Sequence, residues 1–229
     1  MSEPGVAAAV SAPRVLVIGC GALANELVAV VRQAALTNVT ISCLPASLHD
    51  RPGGIPAAVA ERIRVGRATH DRIFVAYADC GTGGLLDRIL EAEGVERLAG
   101  AHCYEVYAGR AAFADLAEEE PGTFYLTDFL VRNFERLVVR GLGLDRHPEL
   151  RDVYFANYGR VVYLAQTDDE ALTEAAGLAA QRLDLPLERR YTGLGELATS
   201  MRSALELAAG PAFATGPVIQ PTMPAVEAA

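Results

Sequence analysis

The sequence predicts an α/β fold: a mainly parallel sheet with helices on both faces, doubly wound. Two observations predict it. Short runs of strand length alternate with segments whose apolar residues recur at helical spacing. Several of the strand runs are apolar throughout, as strands covered on both faces are. In chain order, Val15–Ile18 is an apolar run ending in Gly-Cys-Gly, and Leu23, Leu27, Val30 and Val31 follow at helical spacing. Val39–Leu44 reads as the second strand. Ile55–Val65 is a helix with Ile55, Val59 and Ile63 on one face. Arg72–Tyr77 is the third strand, Leu85–Ala92 the helix after it, and Val95–Leu98 a short fourth strand. A helix is predicted from Thr127 to Val139, capped by Thr127 or Asp128 and stopped at Gly141. Arg160–Leu164 is a strand, Asp168 and Asp169 open a helix to about Leu183, and Leu187–Tyr191 is the last strand.

The chain has 229 residues, enough for one domain with an ample core. Residues 1–13 read as a disordered arm, 14–209 as a single α/β domain, and 210–229 as a flexible tail rich in Pro, Ala and Gly. No run is long and apolar enough to span a membrane, and the first residues lack the pattern of a signal peptide. A cytoplasmic location is therefore expected, where thiols stay reduced. The net charge is −9, which argues against binding to nucleic acid. All 20 basic residues are Arg, so a lysine Schiff base, a lysine nucleophile and a P-loop lysine are excluded.

Three cysteines occupy matching places. Cys20 follows VLVI, Cys80 follows FVAYAD, and Cys103 lies in GAHCYE, just beyond the fourth strand. The carboxyl ends of parallel strands share one rim, where ligands bind. Three thiolates gathered there suit zinc or an iron–sulfur cluster. Cys43, inside the apolar run ISCL, reads as a core residue.

The surrounding residues suggest roles. Gly81, Thr82, Gly83 and Gly84 form a turn whose backbone N–H groups can face an anion or cluster sulfurs. His49, in the polar loop SLHDRPGG, and Glu105, two residues after Cys103, are the candidates for moving protons. His102 is a further candidate ligand, whereas His70 and His147 lie in polar turns. Glu26 either returns toward the rim or is solvated. Tyr104 and Tyr107 read first as core packing, with lining a pocket as the alternative. GCGALA fits a loose dinucleotide-binding pattern, but the second strand ends without the acid that would hold a ribose. Arg132, Arg136 and Arg140 are spaced along one face of the predicted helix.

Taken together, VIGCGALANE, LHDRPGGIP, YADCGTGG and GAHCYEVYAG resemble a bacterial and archaeal family described only as domain of unknown function 1638. The resemblance spans roughly residues 14–200 and carries Cys20, His49, Cys80 and Cys103. It implies company with corrinoid-dependent methyltransferase systems acting on methylamines and betaines, and hence a place near one-carbon metabolism. The expectation is a metal- or cofactor-binding protein with a small-molecule or cofactor ligand and corrinoid methyltransferase components as partners. A metal-free thiol enzyme and a non-catalytic accessory protein are the alternatives, and the sequence leaves open whether the protein is an enzyme.

Overall fold

The structure, a computed structural model, describes residues 12–209. The tail at 210–229, and the arm at 1–13 except for its last two residues, lie outside the described residues. The first half runs β1 (Val15–Cys20), α1 (Ala24–Gln33), β2 (Val39–Leu44), α2 (Ile55–Gly66), β3 (Arg72–Ala76), α3 (Leu85–Glu93) and β4 (Glu96–Arg97). These strands form a parallel sheet in the order β2-β1-β3-β4. Every residue of β1 is buried, as its unbroken apolar run predicts for a central strand covered on both faces. Each large side chain withdrawn from water in this way contributes about 1.5–3 kcal/mol.

The chain then forms α4 (Cys103–Ala108), α5 (Arg110–Glu119), β5 (Thr123–Thr127), α6 (Asp128–Arg132), α7 (Leu150–Tyr154), β6 (Arg160–Ala165), α8 (Glu170–Leu183), β7 (Leu187–Tyr191) and α9 (Gly195–Ala209). Its strands make a second parallel sheet, β5-β6-β7. The α/β class with parallel pairing thus stands, but the strands are divided between two sheets. The short β4 gives a reason. Only Glu96 and Arg97 pair with β3, which leaves little ladder for another strand to extend. The next strand, β5, pairs with β6 instead.

β6 joins the halves. Val162 and Leu164 point into the core of the first sheet, with Leu197, Met201 and Leu205 of α9. Val161, Tyr163 and Ala165 point into a second core with Leu126 and the α8 residues Leu172, Ala176 and Leu183. The helix predicted over Thr127–Val139 is correctly capped, because the Thr127 hydroxyl accepts the Leu130 N–H at 3.3 Å. It is shorter than predicted. The Asn133 side chain donates to the Phe129 carbonyl at 2.8 Å, and a π-helical turn replaces the α-helix over Glu135–Val139. Arg132, Arg136 and Arg140 therefore do not share one α-helical face. Among the described residues no helix is long and apolar enough to cross a membrane.

Candidate thiol site at the rim of the first sheet

Cys20 is the last residue of β1, and its Sγ accepts the Ala22 N–H at 3.3 Å, capping the 3₁₀ turn that leads into α1. Cys80 sits four residues beyond the end of β3, in a turn held against the chain that leads to Cys103. The Asp79 N–H donates to the Gly100 carbonyl at 3.1 Å, and the Cys80 N–H to the Ala101 carbonyl at 2.8 Å. The Cys103 backbone N–H in turn faces the Cys80 sulfur. Cys103 is the first residue of α4. Strand ends and backbone hydrogen bonds therefore bring sequence-distant thiols to one rim.

The thiols affect one another. Burial pushes each pKa up, with Cys80 reaching about 12. The charge Cys20 would carry raises Cys80, and both raise Cys103. At neutral pH the metal-free protein therefore holds neutral thiols here. Cys80 also has a backbone cost: its φ of 50° lies in the left-handed region, where a side chain is disfavoured.

Cys43 is placed differently. It pairs across the sheet with Gly19, and its sulfur lies 3.7 Å from where a Gly19 Cβ would stand, on the face packed by Leu27 of α1. Cys20 is one residue further along β1 and points to the other face. Burial and the nearby Cys20 push the Cys43 thiol up to about 11.

His49 stands at the rim with its ring stacked on Tyr77, centroids 6.1 Å apart and planes 11° from parallel. Its Nδ1 lies 3.0 Å from the Ala46 carbonyl and 4.0 Å from Cys20 Sγ. A proton on Nδ1 donates to that carbonyl and leaves Nε2 free as a ligand or proton acceptor. His49 is an exposed residue, yet desolvation against the rim lowers its pKa. His102 is exposed, with its ring 6.2 Å from that of Tyr104.

Glu105 and the glycine turn are engaged in local structure. Glu105 accepts the Ala101 N–H at 2.7 Å and lies 3.2 Å from Arg110 Nε, so it braces the loop bearing Cys103. In the turn of Gly81, Thr82, Gly83 and Gly84, the N–H groups of Gly83 and Gly84 donate to the Asp79 carboxylate at 3.1 and 2.9 Å. The Thr82 hydroxyl donates to the same carboxylate at 2.6 Å. Asp79 thus fills the place that an anion would take from those groups, and these bonds hold its carboxyl below the usual range.

Sequence reasoning missed Tyr77. It follows β3 directly, is fully buried, and faces Cys20, Cys80 and Cys43. Its signal was its place at the end of RIFVAY, one strand over from Cys20.

Glu26 is buried, 7% exposed, and meets the second sheet rather than solvent. Burial raises its pKa, and Asp128, Arg132 and Tyr107 surround it. Asp128 is fully buried at the end of β5. It accepts the Tyr163 hydroxyl at 2.7 Å, the Gln166 N–H at 3.0 Å and the Thr167 hydroxyl at 2.5 Å. Tyr107 also lines a cavity of about 390 Å³ with Leu164, Arg190, Thr192 and Glu196, and no cysteine lines it.

Among the described residues, no group of three His, Cys, Asp or Glu side chains is gathered closely enough to hold a single metal ion. The donor types nevertheless suit a soft metal: thiols from Cys20, Cys80 and Cys103, with an imidazole nitrogen at the edge.

The family described as "Protein of unknown function (DUF1638)" matches residues 43–201, more than half of the chain, and the chain belongs to it. The matched stretch includes His49, Cys80 and Cys103, and begins after Cys20. No curated protein matches, and no solved structure matches.

Proposed function

We propose that this member of the DUF1638 family binds a metal-containing cofactor through Cys20, Cys80 and Cys103. The observation that supports the reading is that Cys20, Cys80 and Cys103 are buried near one rim, where the charge Cys20 would carry raises Cys80 and both raise Cys103. Buried neutral thiols are poor nucleophiles, which weighs against a metal-free thiol enzyme. A bound metal reverses the situation, since it deprotonates a coordinating thiol and takes up its charge. Ligands of one zinc ion stand roughly 4 Å apart, whereas the thiolates of a cubane cluster are on the order of 6–7 Å apart. Three thiols suit either group, and sulfur separations measured in the loaded protein distinguish zinc from an iron–sulfur cluster.

In this reading Cys20, Cys80 and Cys103 hold the cofactor, and the turn built on Asp79 fixes Cys80 in its strained backbone. Glu105 positions the Cys103 loop through the Ala101 N–H. His49 receives or returns a proton at Nε2. The cofactor supplies electron transfer or an open coordination position for a small-molecule substrate. The family resemblance suggests corrinoid methyltransferase components as partners and one-carbon metabolism as the setting.

Purification without oxygen, followed by iron, zinc and acid-labile sulfide analysis, tests the proposal. Zinc, or iron together with sulfide, in stoichiometric amounts is expected. Protein that neither carries nor takes up either metal contradicts it. Turnover assays with small methyl donors then separate an enzyme from an accessory protein.

A further inference from the structure

We infer that the cavity between the two halves of the molecule binds a small zwitterion, an amine and a carboxylate carried on a short apolar frame. The inference is independent of the thiol site. No cysteine lines the cavity, and α4, which begins at Cys103, reaches it only at its last residues.

The cavity has a volume of about 390 Å³ and lies at the carboxyl ends of β6 and β7, a size and a place usual for small-molecule sites. Its apolar floor is Ala108, Ala112, Leu116 and Leu164. Leu164 pairs across the sheet with Arg190, so the two side chains leave the same face and Arg190 joins the wall. Another wall is the start of α9. Gly195 has a φ of 51°, and a Cβ there would stand 2.2 Å from the Tyr107 carbonyl oxygen. The lack of that Cβ lets α9 begin against the end of α4, which sets Glu196 at the cavity.

The two charges at the cavity have opposite signs, and each is held by a partner of its own. Arg190 Nε donates to Glu188 at 2.5 Å, which leaves the terminal nitrogens of the guanidinium for a further acceptor. Glu188 is itself fixed by Arg160 Nη1 at 3.0 Å. Glu196 stands in the first turn of α9, where the helix favours a negative charge, and accepts the Arg110 N–H at 3.3 Å. Among the described residues Arg190 pairs with Glu188, and Glu196 forms no ion pair. A cation and an anion that line one cavity without meeting are matched by a ligand that carries both complementary charges. Its carboxylate accepts from Arg190, its ammonium donates to Glu196, and its carbon frame lies on the apolar floor.

The test titrates the isotope-labelled full chain with L-leucine, whose charged groups share one carbon, and with ε-aminocaproate, whose charged groups are separated by a chain. Each is compared with its analogue lacking the amine and its analogue lacking the carboxylate, and binding is read from backbone amide shifts. At least one zwitterion should shift the amides of Gly109, Thr192 and Gly195. It should bind about tenfold or more tightly than either of its analogues, the effect of one hydrogen bond to a charged group. Arg190→Gln should abolish the advantage over the amine-only analogue, and Glu196→Gln the advantage over the carboxylate-only analogue. Both residues are exposed, so both variants should keep the wild-type melting temperature. If Arg190→Gln melts lower through the loss of its bond to Glu188, the Glu196→Gln comparison decides alone. Ala112→Leu, at an exposed helix position, should narrow the cavity and weaken the zwitterion. Shifts absent with both zwitterions, or confined to other residues, overturn the inference. Analogues that bind as tightly as the zwitterions overturn it too, as does unchanged binding in Glu196→Gln. The cofactor proposal is read from metal content, so it stands or falls separately.

Discussion

Cys80 is the residue at which local cost and proposed role meet. Its φ of 50° costs about 1–2 kcal/mol for a residue with a Cβ and almost nothing for glycine. Cys80→Gly should therefore be more stable than Cys80→Ser by about 1 kcal/mol in urea denaturation, while both lose the metal. Equal stability of the two variants would mean that the backbone is not strained there. The thiols also set a pH dependence. An unfolded cysteine ionises near pH 8.5. The folded thiols hold their protons to higher pH, so as pH rises past about 8.5 the unfolded state loses protons first and stability falls. Metal-free protein should show a melting temperature that declines from about pH 8.5 upward. The decline should be blunted in the serine variants, and a flat profile to pH 10 would contradict the burial of neutral thiols.

The cysteines were legible because each directly follows a strand or its turn, whereas Tyr77 was hidden by resembling one more apolar strand residue. The glycine turn was half legible. Its glycines signalled the left-handed backbone, but the sequence did not reveal that Asp79 occupies the N–H groups they expose.

At the scale of elements, the Asp128 carboxylate, at the start of α6, ties the end of β5 to β6 and the turn after it. It is fully buried and bonded to Tyr163, Gln166 and Thr167, so its removal strands several donors at once. Asp128→Ala should destabilise the protein by about 1–3 kcal/mol in urea denaturation, the range for leaving buried donors without a partner. A loss below about 1 kcal/mol would show that water replaces the carboxylate.

The strands readable in advance were those with long apolar runs, β1, β3 and β6 above all. β5 was not read as a strand, because its alternate residues serve different cores. Tyr125 packs in the first, while Leu126 belongs to the second, so TFYLT has no simple one-sided pattern. α9 was also missed, although Leu197, Met201 and Leu205 recur at the spacing of one helix face. The split into two sheets was not legible, since strand pairing over long sequence separations leaves no local signal.

For the whole molecule, the first sheet carries the thiol rim, and the second sheet packs on its core through Val162 and Leu164. Glu26 and Asp128 meet near the junction, with Arg132 close to both. The net charge of −9 at pH 7 belongs to this scale. It predicts no retention on duplex DNA or RNA at physiological salt in a gel-shift assay. A tight complex that weakens steeply with added salt would contradict this.

The central claim is that Cys20, Cys80 and Cys103 serve one bound group. Metal content per chain in the four single cysteine-to-serine variants, all purified without oxygen, tests it most directly. The claim predicts that Cys20→Ser, Cys80→Ser and Cys103→Ser each lose most of the metal, while Cys43→Ser keeps the wild-type amount. Full metal retention in the first three, or a loss confined to Cys43→Ser, would contradict it.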